Sequence, residues 1–174
     1  MQAEIYSELE KHLSEASRVV RLKGGDPFIF GRGFEEKKYV EDLGYQVEVI
    51  PGLSSSVGLA TLIGLPLTHR NISSGFAVIT GHGCANKEIE FANYANVETI
   101  VVLMGVKNRV KICSGLIEHG RSEKESVAFI ENGSLENQKI VFSSLGQVAK
   151  GELEVLNPAV YVIGDVVKLL EKND

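Results

Sequence analysis

Hydrophobic positions along the chain change their period several times, and each change marks an element. Ile5, Leu9, Leu13 and Ala16 recur at helical spacing, which predicts a helix over residues 2–16. Residues 18–22 (RVVRL) are a short β-rich run, and residues 23–33 (KGGDPFIFGRG) carry too much glycine and proline to continue it. A helix follows over 34–43, stopped by Gly44. Residues 45–50 alternate as a second strand, which Pro51-Gly52 breaks. Ser54 is placed to N-cap a short helix reaching Ile63, and Pro66 closes that region.

The remainder repeats a strand–helix rhythm. Strands are predicted at 75–80, 99–104, 127–130, 140–143 and 159–163. Helices are predicted at 87–94, at 107–119 with Val110, Cys113, Leu116 and Ile117 on one face, and at 166–170. The strands at 127–130 and 140–143 are joined through Asn132-Gly133, as in a hairpin with a long loop. Alternation of this kind predicts an α/β fold, and the hairpin makes its later sheet mixed. Glycine, serine and proline concentrate at 52–70, which suggests two domains, 1–66 and 67–174. The first has only two strands. A two-strand unit cannot bury both faces of a sheet, so that domain reads as incomplete or completed by a partner.

Composition narrows the picture. Hydrophobic residues make up 44% and charged residues 24%, enough for a packed core. The net charge of −5 argues against a nucleic-acid binder, yet an anionic ligand can still meet local positive charge in a cleft. Cys84 and Cys113 are far apart and form no CxxC pair, so no zinc site is expected and both read as free thiols. No apolar run approaches the roughly 20 residues of a membrane span, and the acidic amphipathic start has no signal-peptide core. These features point to the cytoplasm.

Three segments could carry chemistry. Arg21 to Glu36 (RLKGGDPFIFGRGFEE) lies between a predicted strand and a predicted helix, where ligands bind in open α/β sheets. Gly24 and Gly25 let a ligand approach the backbone, and Asp26 can accept hydrogen bonds from an amine or hydroxyl. A tight Gly-Gly-Asp-Pro turn, with Asp26 capping its own backbone, explains the segment equally well. The pattern is neither GxGxxG nor GxxxxGK[ST], so dinucleotide and NTP sites lack their fingerprint. Glu35 and Glu36 suit the first turn of a helix on dipole grounds alone, whereas Arg32 between two glycines is harder to explain as filler. Pro51 to Ser56 (PGLSSS) offers Ser54 and Ser55 at a helix N-terminus, where a plain N-cap is the simpler reading. Pro66 to Arg70 (PLTHR) supplies His69 and Arg70. His12, His82 and His119 form no cluster with His69, Met104 ends a buried strand where methionine is usually core, and Asn132-Gly133 is usually a turn.

The segments VVRLKGGDPFIFGRG, VIPGLSSS, GLPLTHR, VLMG, ENG and PAVYVIGDVV occur in that order. Together they resemble the uroporphyrinogen-III C-methyltransferases of the tetrapyrrole methylase superfamily, from about Ile5 to Leu170. The resemblance implies two α/β domains with the active site between them, a homodimer, and methylation of uroporphyrinogen III to precorrin-2 by S-adenosylmethionine (SAM), toward sirohaem and cobalamin. No metal is implied. The family's SAM site falls on Gly24, Gly25, Asp26, Ile29, Ser54, Ser55, Met104 and Gly133, with Ala159 at its margin. Arg32, Glu35, Arg70 and Met104 would face the tetrapyrrole, whose eight carboxylates suit arginine clamps. Arg32 and Glu35 are the implied catalytic pair. Another precorrin methylase, or a SAM-binding dimerisation module without turnover, are the alternatives.

The sequence departs from the family in one respect. A family member starts with a strand and a GxGPGDP loop, followed by a region that contributes an aspartate and a lysine, and nothing here matches either. The first domain is therefore expected to lack its first strands, leaving an exposed edge at Val19, Val20 and Leu22. A misassigned start, a split gene and a degenerate remnant each account for this.

Overall fold

Thr99–Leu103 (β2), Ser126–Glu131 (β3) and Ala159–Ile163 (β5) are the three inner strands of a five-stranded sheet, and nearly every residue in them is buried. Strands covered on both faces read as unbroken apolar runs, which is what TIVVL, VAFI and VYVI are. The outer strands are Phe76–Thr80 (β1) and Lys139–Ser144 (β4), and the order is β1-β2-β5-β3-β4. β1 pairs parallel with β2, and every other pairing is antiparallel. The computed structural model describes residues 2–16, 18–83 and 87–171.

Side chains alternate between the two faces of the sheet. Ile100, Val102, Val127, Phe129, Tyr161 and Ile163 pack with Ile112, Cys113 and Leu116 of helix α4 (Arg109–Glu118) and with Leu145 and Val148 of helix α5 (Leu145–Ala149). Val101, Leu103, Ala128, Val160 and Val162 pack on the other face with Ala60 of helix α3 (Ser55–Leu62), Leu65, Leu67, Val166 and Val167. A 3-10 turn at Asp165–Val167 and the short helix α6 (Lys168–Glu171) end the described chain. The mixed α/β sheet expected from the sequence is present.

The chain divides into two compact units, 1–54 and 55–174. The division falls earlier than the expected 66/67, because Ala60 and Leu65 are buried against the sheet of the second unit. The first unit holds helices α1 (Gln2–Glu15) and α2 (Gly33–Asp42), joined by stacked rings of Tyr6 and Tyr39 with centroids 4.1 Å apart.

Three expected elements differ. Residues 18–22 and 45–50 join no ladder. A strand needs a partner's hydrogen bonds, and neither segment has one among the described residues. Val20 is 80% and Leu22 82% exposed. The helix expected at 87–94 is only a 3-10 turn at Phe91–Tyr94. Ile89 and Phe91 still pack on the core, so the apolar spacing reflected packing rather than helix. α5 was not expected at all.

Candidate functional site

Gly24 to Arg32 is a loop held by a few specific bonds. Asp26 Oδ1 accepts from the Phe28 amide at 2.9 Å, and Oδ2 accepts from the Gly52 amide at 3.3 Å. The carboxylate therefore caps its own turn and also ties it to the Pro51-Gly52 turn. Gly25 has φ +136°, a conformation few side chains tolerate, and a Cβ on Gly52 would lie 2.6 Å from the Gly25 carbonyl oxygen. The Gly33 amide donates to the Pro27 carbonyl at 2.8 Å and closes the loop. Phe30 and Arg32 are left-handed, with φ 53° and 57°. Strain of this kind clusters at functional sites.

The loop presents an apolar surface. Phe28, Ile29 and Phe30 are exposed, and the rings of Phe28 and Phe34 meet edge to face. A Cβ at Gly24 would meet nothing within 4 Å, so that face of the backbone is open. Arg32 Nε donates to Glu35 Oε2 at 2.5 Å, and both side chains are about half exposed.

Glu36 behaves differently. It is only 6% exposed, and Oε2 accepts from Lys23 Nζ at 2.9 Å with Arg21 Nε 3.3 Å away. Gln2 of α1 reaches its other oxygen at 3.5 Å. Burial pushes this carboxyl up, but the hydrogen bond and charge of Lys23 and the charge of Arg21 outweigh burial and hold it below its ordinary value. Sequence reasoning gave Glu36 no role beyond the helix dipole.

In the second unit, Met104 directly follows β2, has φ 53° and is 52% exposed. It is thus not a core methionine. Behind it, a Cβ on Gly105 would lie 2.6 Å from Val102 Cγ1 and 2.8 Å from the Tyr161 hydroxyl, so the turn is pressed onto the sheet. The turn after β3 is equally tight. Asn132 has φ 48° and its amide donates to the Pro158 carbonyl at 2.9 Å, while a Cβ on Gly133 would lie 2.6 Å from Leu59 of α3. Gly133 therefore lets α3 pack against that turn. Ala159 pairs with Glu131 at the start of β5. Ser55 opens α3. His69 bridges to Ser73, its Nδ1 accepting from the Asn71 amide at 3.4 Å, and Arg70 on that turn is exposed.

Gly24, Gly25, Asp26, Ile29, Arg32, Glu35 and Ser54 thus lie in the first unit, and Ser55, Arg70, Met104, Gly133 and Ala159 in the second. Among the described residues no three His, Cys, Asp or Glu side chains group as metal ligands, and no helix is long and apolar enough to cross a membrane. Cys113 is a free, buried thiol, and Cys84 lies outside the described residues.

The profile of the family described as Tetrapyrrole (Corrin/Porphyrin) Methylases matches residues 1–149. The chain belongs to this family. Among its tetrapyrrole methylase relatives, the crystal structure of uroporphyrin-III C-methyl transferase from Thermus thermophilus, complexed with S-adenyl homocysteine, superposes with a TM-score of 0.89. It is 42% identical, and the match covers 97% of this chain and 75% of that one. Siroheme synthase 2 of Klebsiella pneumoniae is 40% identical over 172 residues, 98% of this chain and 38% of that protein. A siroheme synthase of Buchnera aphidicola is 41% identical over 175 residues, 98% of this chain and 37% of that protein. The tetrapyrrole methylase chain described here thus spans well under half the length of these curated relatives.

Proposed function

We propose that this chain serves SAM-dependent C-methylation of uroporphyrinogen III to precorrin-2, on the route to sirohaem and cobalamin. What supports the reading is the 42% identity, over 97% of the chain, to a uroporphyrin-III C-methyl transferase complexed with S-adenyl homocysteine. The homodimer and the cytoplasmic setting expected from the sequence belong to the same proposal.

Features of individual residues support a cofactor role for each. Gly24 leaves open backbone, Ile29 and its aromatic neighbours offer apolar contact, and Met104 projects from a strand end. Gly24, Gly25, Asp26, Ile29, Ser54, Ser55, Met104 and Gly133 would hold SAM, which supplies a methyl group activated on sulfonium. Arg32 and Arg70 would clamp substrate carboxylates, since a guanidinium pairs with a carboxylate through two parallel hydrogen bonds. Of the Arg32–Glu35 pair, only the carboxylate readily accepts a proton, because arginine stays charged. Glu35 would then take up the proton that the macrocycle releases once the methyl has been transferred, while orienting Arg32. The protein's main contribution is alignment of two reactants.

The second reading is a SAM-binding module without turnover. Calorimetric titration with S-adenosylhomocysteine, beside Asp26→Ala, tests binding, and a methylation assay on uroporphyrinogen III then tests turnover. Binding that the variant weakens, followed by methylation, is the expected result. Binding without methylation favours the module, and no binding by the folded chain overturns both.

A further inference from the structure

The Gly24–Arg32 loop is weakly fixed by its own composition. It contains Gly24, Gly25 and Gly31 and is followed by Gly33, so its backbone has much freedom to lose. Its large side chains Phe28, Ile29 and Phe30 are exposed, so apolar burial does not anchor it. Its two ends, however, are joined by a buried ion pair. Lys23 immediately precedes Gly24, Glu36 sits in the first turn of α2, and the 2.9 Å contact between them spans 13 residues. The Lys23 side chain is 14% exposed and that of Glu36 7%. Charges this buried persist only when paired, and Arg21 and Gln2 complete the partners of this carboxylate.

We infer that the Lys23–Glu36 ion pair is a positioning latch. It fixes the segment leading into the loop to α2, and so sets where the open backbone at Gly24, the Asp26 carboxylate and the Arg32–Glu35 pair are presented. Buried against each other, Glu36 and Lys23 act through the loop between them. The inference rests on the reading of this loop as a cofactor-binding segment. The charge is essential because a neutral amide at Glu36 would leave the Lys23 ammonium buried without a counter-ion.

The test compares Glu36→Gln and Glu36→Asp with Glu41→Gln, which breaks the Lys37–Glu41 pair on the same helix. Hydrogen exchange is read at the Phe28, Gly33 and Gly52 amides, each of which is hydrogen-bonded in the folded loop. Affinity for S-adenosylhomocysteine is read in parallel by calorimetry. Glu36→Gln should speed exchange at these amides and weaken binding, each by about tenfold or more, while Glu41→Gln changes neither and Glu36→Asp recovers much of both. Exchange in Glu36→Gln no faster than in Glu41→Gln overturns the latch, and so does a Glu36→Asp chain that behaves like Glu36→Gln. If Glu36→Gln unfolds the first unit, Glu36→Asp decides alone: native loop protection supports the latch, and its loss overturns it. Absence of ligand binding by the unsubstituted chain sinks the functional reading, while the exchange comparison still decides the latch.

Discussion

The Gly52 amide donates to Asp26 Oδ2 at 3.3 Å, and the place of a Cβ on Gly52 lies only 2.6 Å from the Gly25 carbonyl oxygen. Hydrogen bond and close approach require each other: the two turns can share Asp26 only while position 52 has no side chain. Gly52→Ala should therefore push the turns apart. We expect a loss of about 1–3 kcal/mol, typical of forced overpacking, read by urea denaturation. Binding of S-adenosylhomocysteine should weaken with it. Unchanged stability and affinity would show that the turns yield freely.

Met104 should behave in the opposite way. It is half exposed and carries little packing, so Met104→Ala should leave stability within about 0.5 kcal/mol. If the side chain touches the cofactor, affinity for S-adenosylhomocysteine should still fall by about fivefold, near 1 kcal/mol. Equal affinity would remove Met104 from the binding surface.

Arg121 holds the second unit from inside. Its Nη1 donates to the carbonyls of Tyr94 at 3.1 Å and of Val97, and its Nε donates to Glu125 Oε2 at 2.9 Å. Arg121→Met removes these donors and leaves Glu125 without its counter-ion. A loss of about 3–5 kcal/mol is expected by thermal or urea unfolding, as for other broken buried pairs. A loss below about 1 kcal/mol would mean that water replaces the guanidinium without difficulty.

Glu36 gives a pH signature. Its folded carboxyl lies below the ordinary value, so its stabilisation is complete above the unfolded pKa and is lost as pH falls through the folded one. The stability gap between the unsubstituted chain and Glu36→Gln should be level near neutrality and shrink below about pH 4. A gap that widens in acid would contradict the paired carboxylate.

Cys113 should be inert. Burial pushes its thiol up to about 12, so almost no thiolate exists near neutrality. In a Cys84→Ser chain, a thiol reagent should label Cys113 only on unfolding. Rapid labelling of the native protein would show that the α4 face of the sheet opens.

The inner strands were legible because burial on both faces leaves an unbroken apolar run in the sequence, as at Ile100 to Leu103. Val19 to Leu22 carries the same local signal and forms no strand, since pairing belongs to two segments and a one-segment pattern cannot report it. α5 did leave a trace. Ser144 Oγ accepts from the Gln147 amide at 3.3 Å, the Ser-x-x-Gln spacing of a capping box, but five residues are too short for a helical period to show. In the candidate site, the turn chemistry of Asp26 was one of two readings weighed, and the structure has it. The grip of Lys23 on Glu36 was invisible, because nothing in the spacing of two charges separated by a glycine-rich loop says that they meet.

The sheet order β1-β2-β5-β3-β4 puts the last strand in the centre. β2 and β3 touch only through it, Ile163 facing Ile100 on one side and Val127 on the other. During synthesis the parallel pair and the hairpin can each form early, but they remain separate pieces with open inner edges until Ala159–Ile163 has left the ribosome. A ribosome that stalls before this strand thus exposes two sticky apolar edges at once, and the nascent chain is most in need of a chaperone just before its central strand arrives.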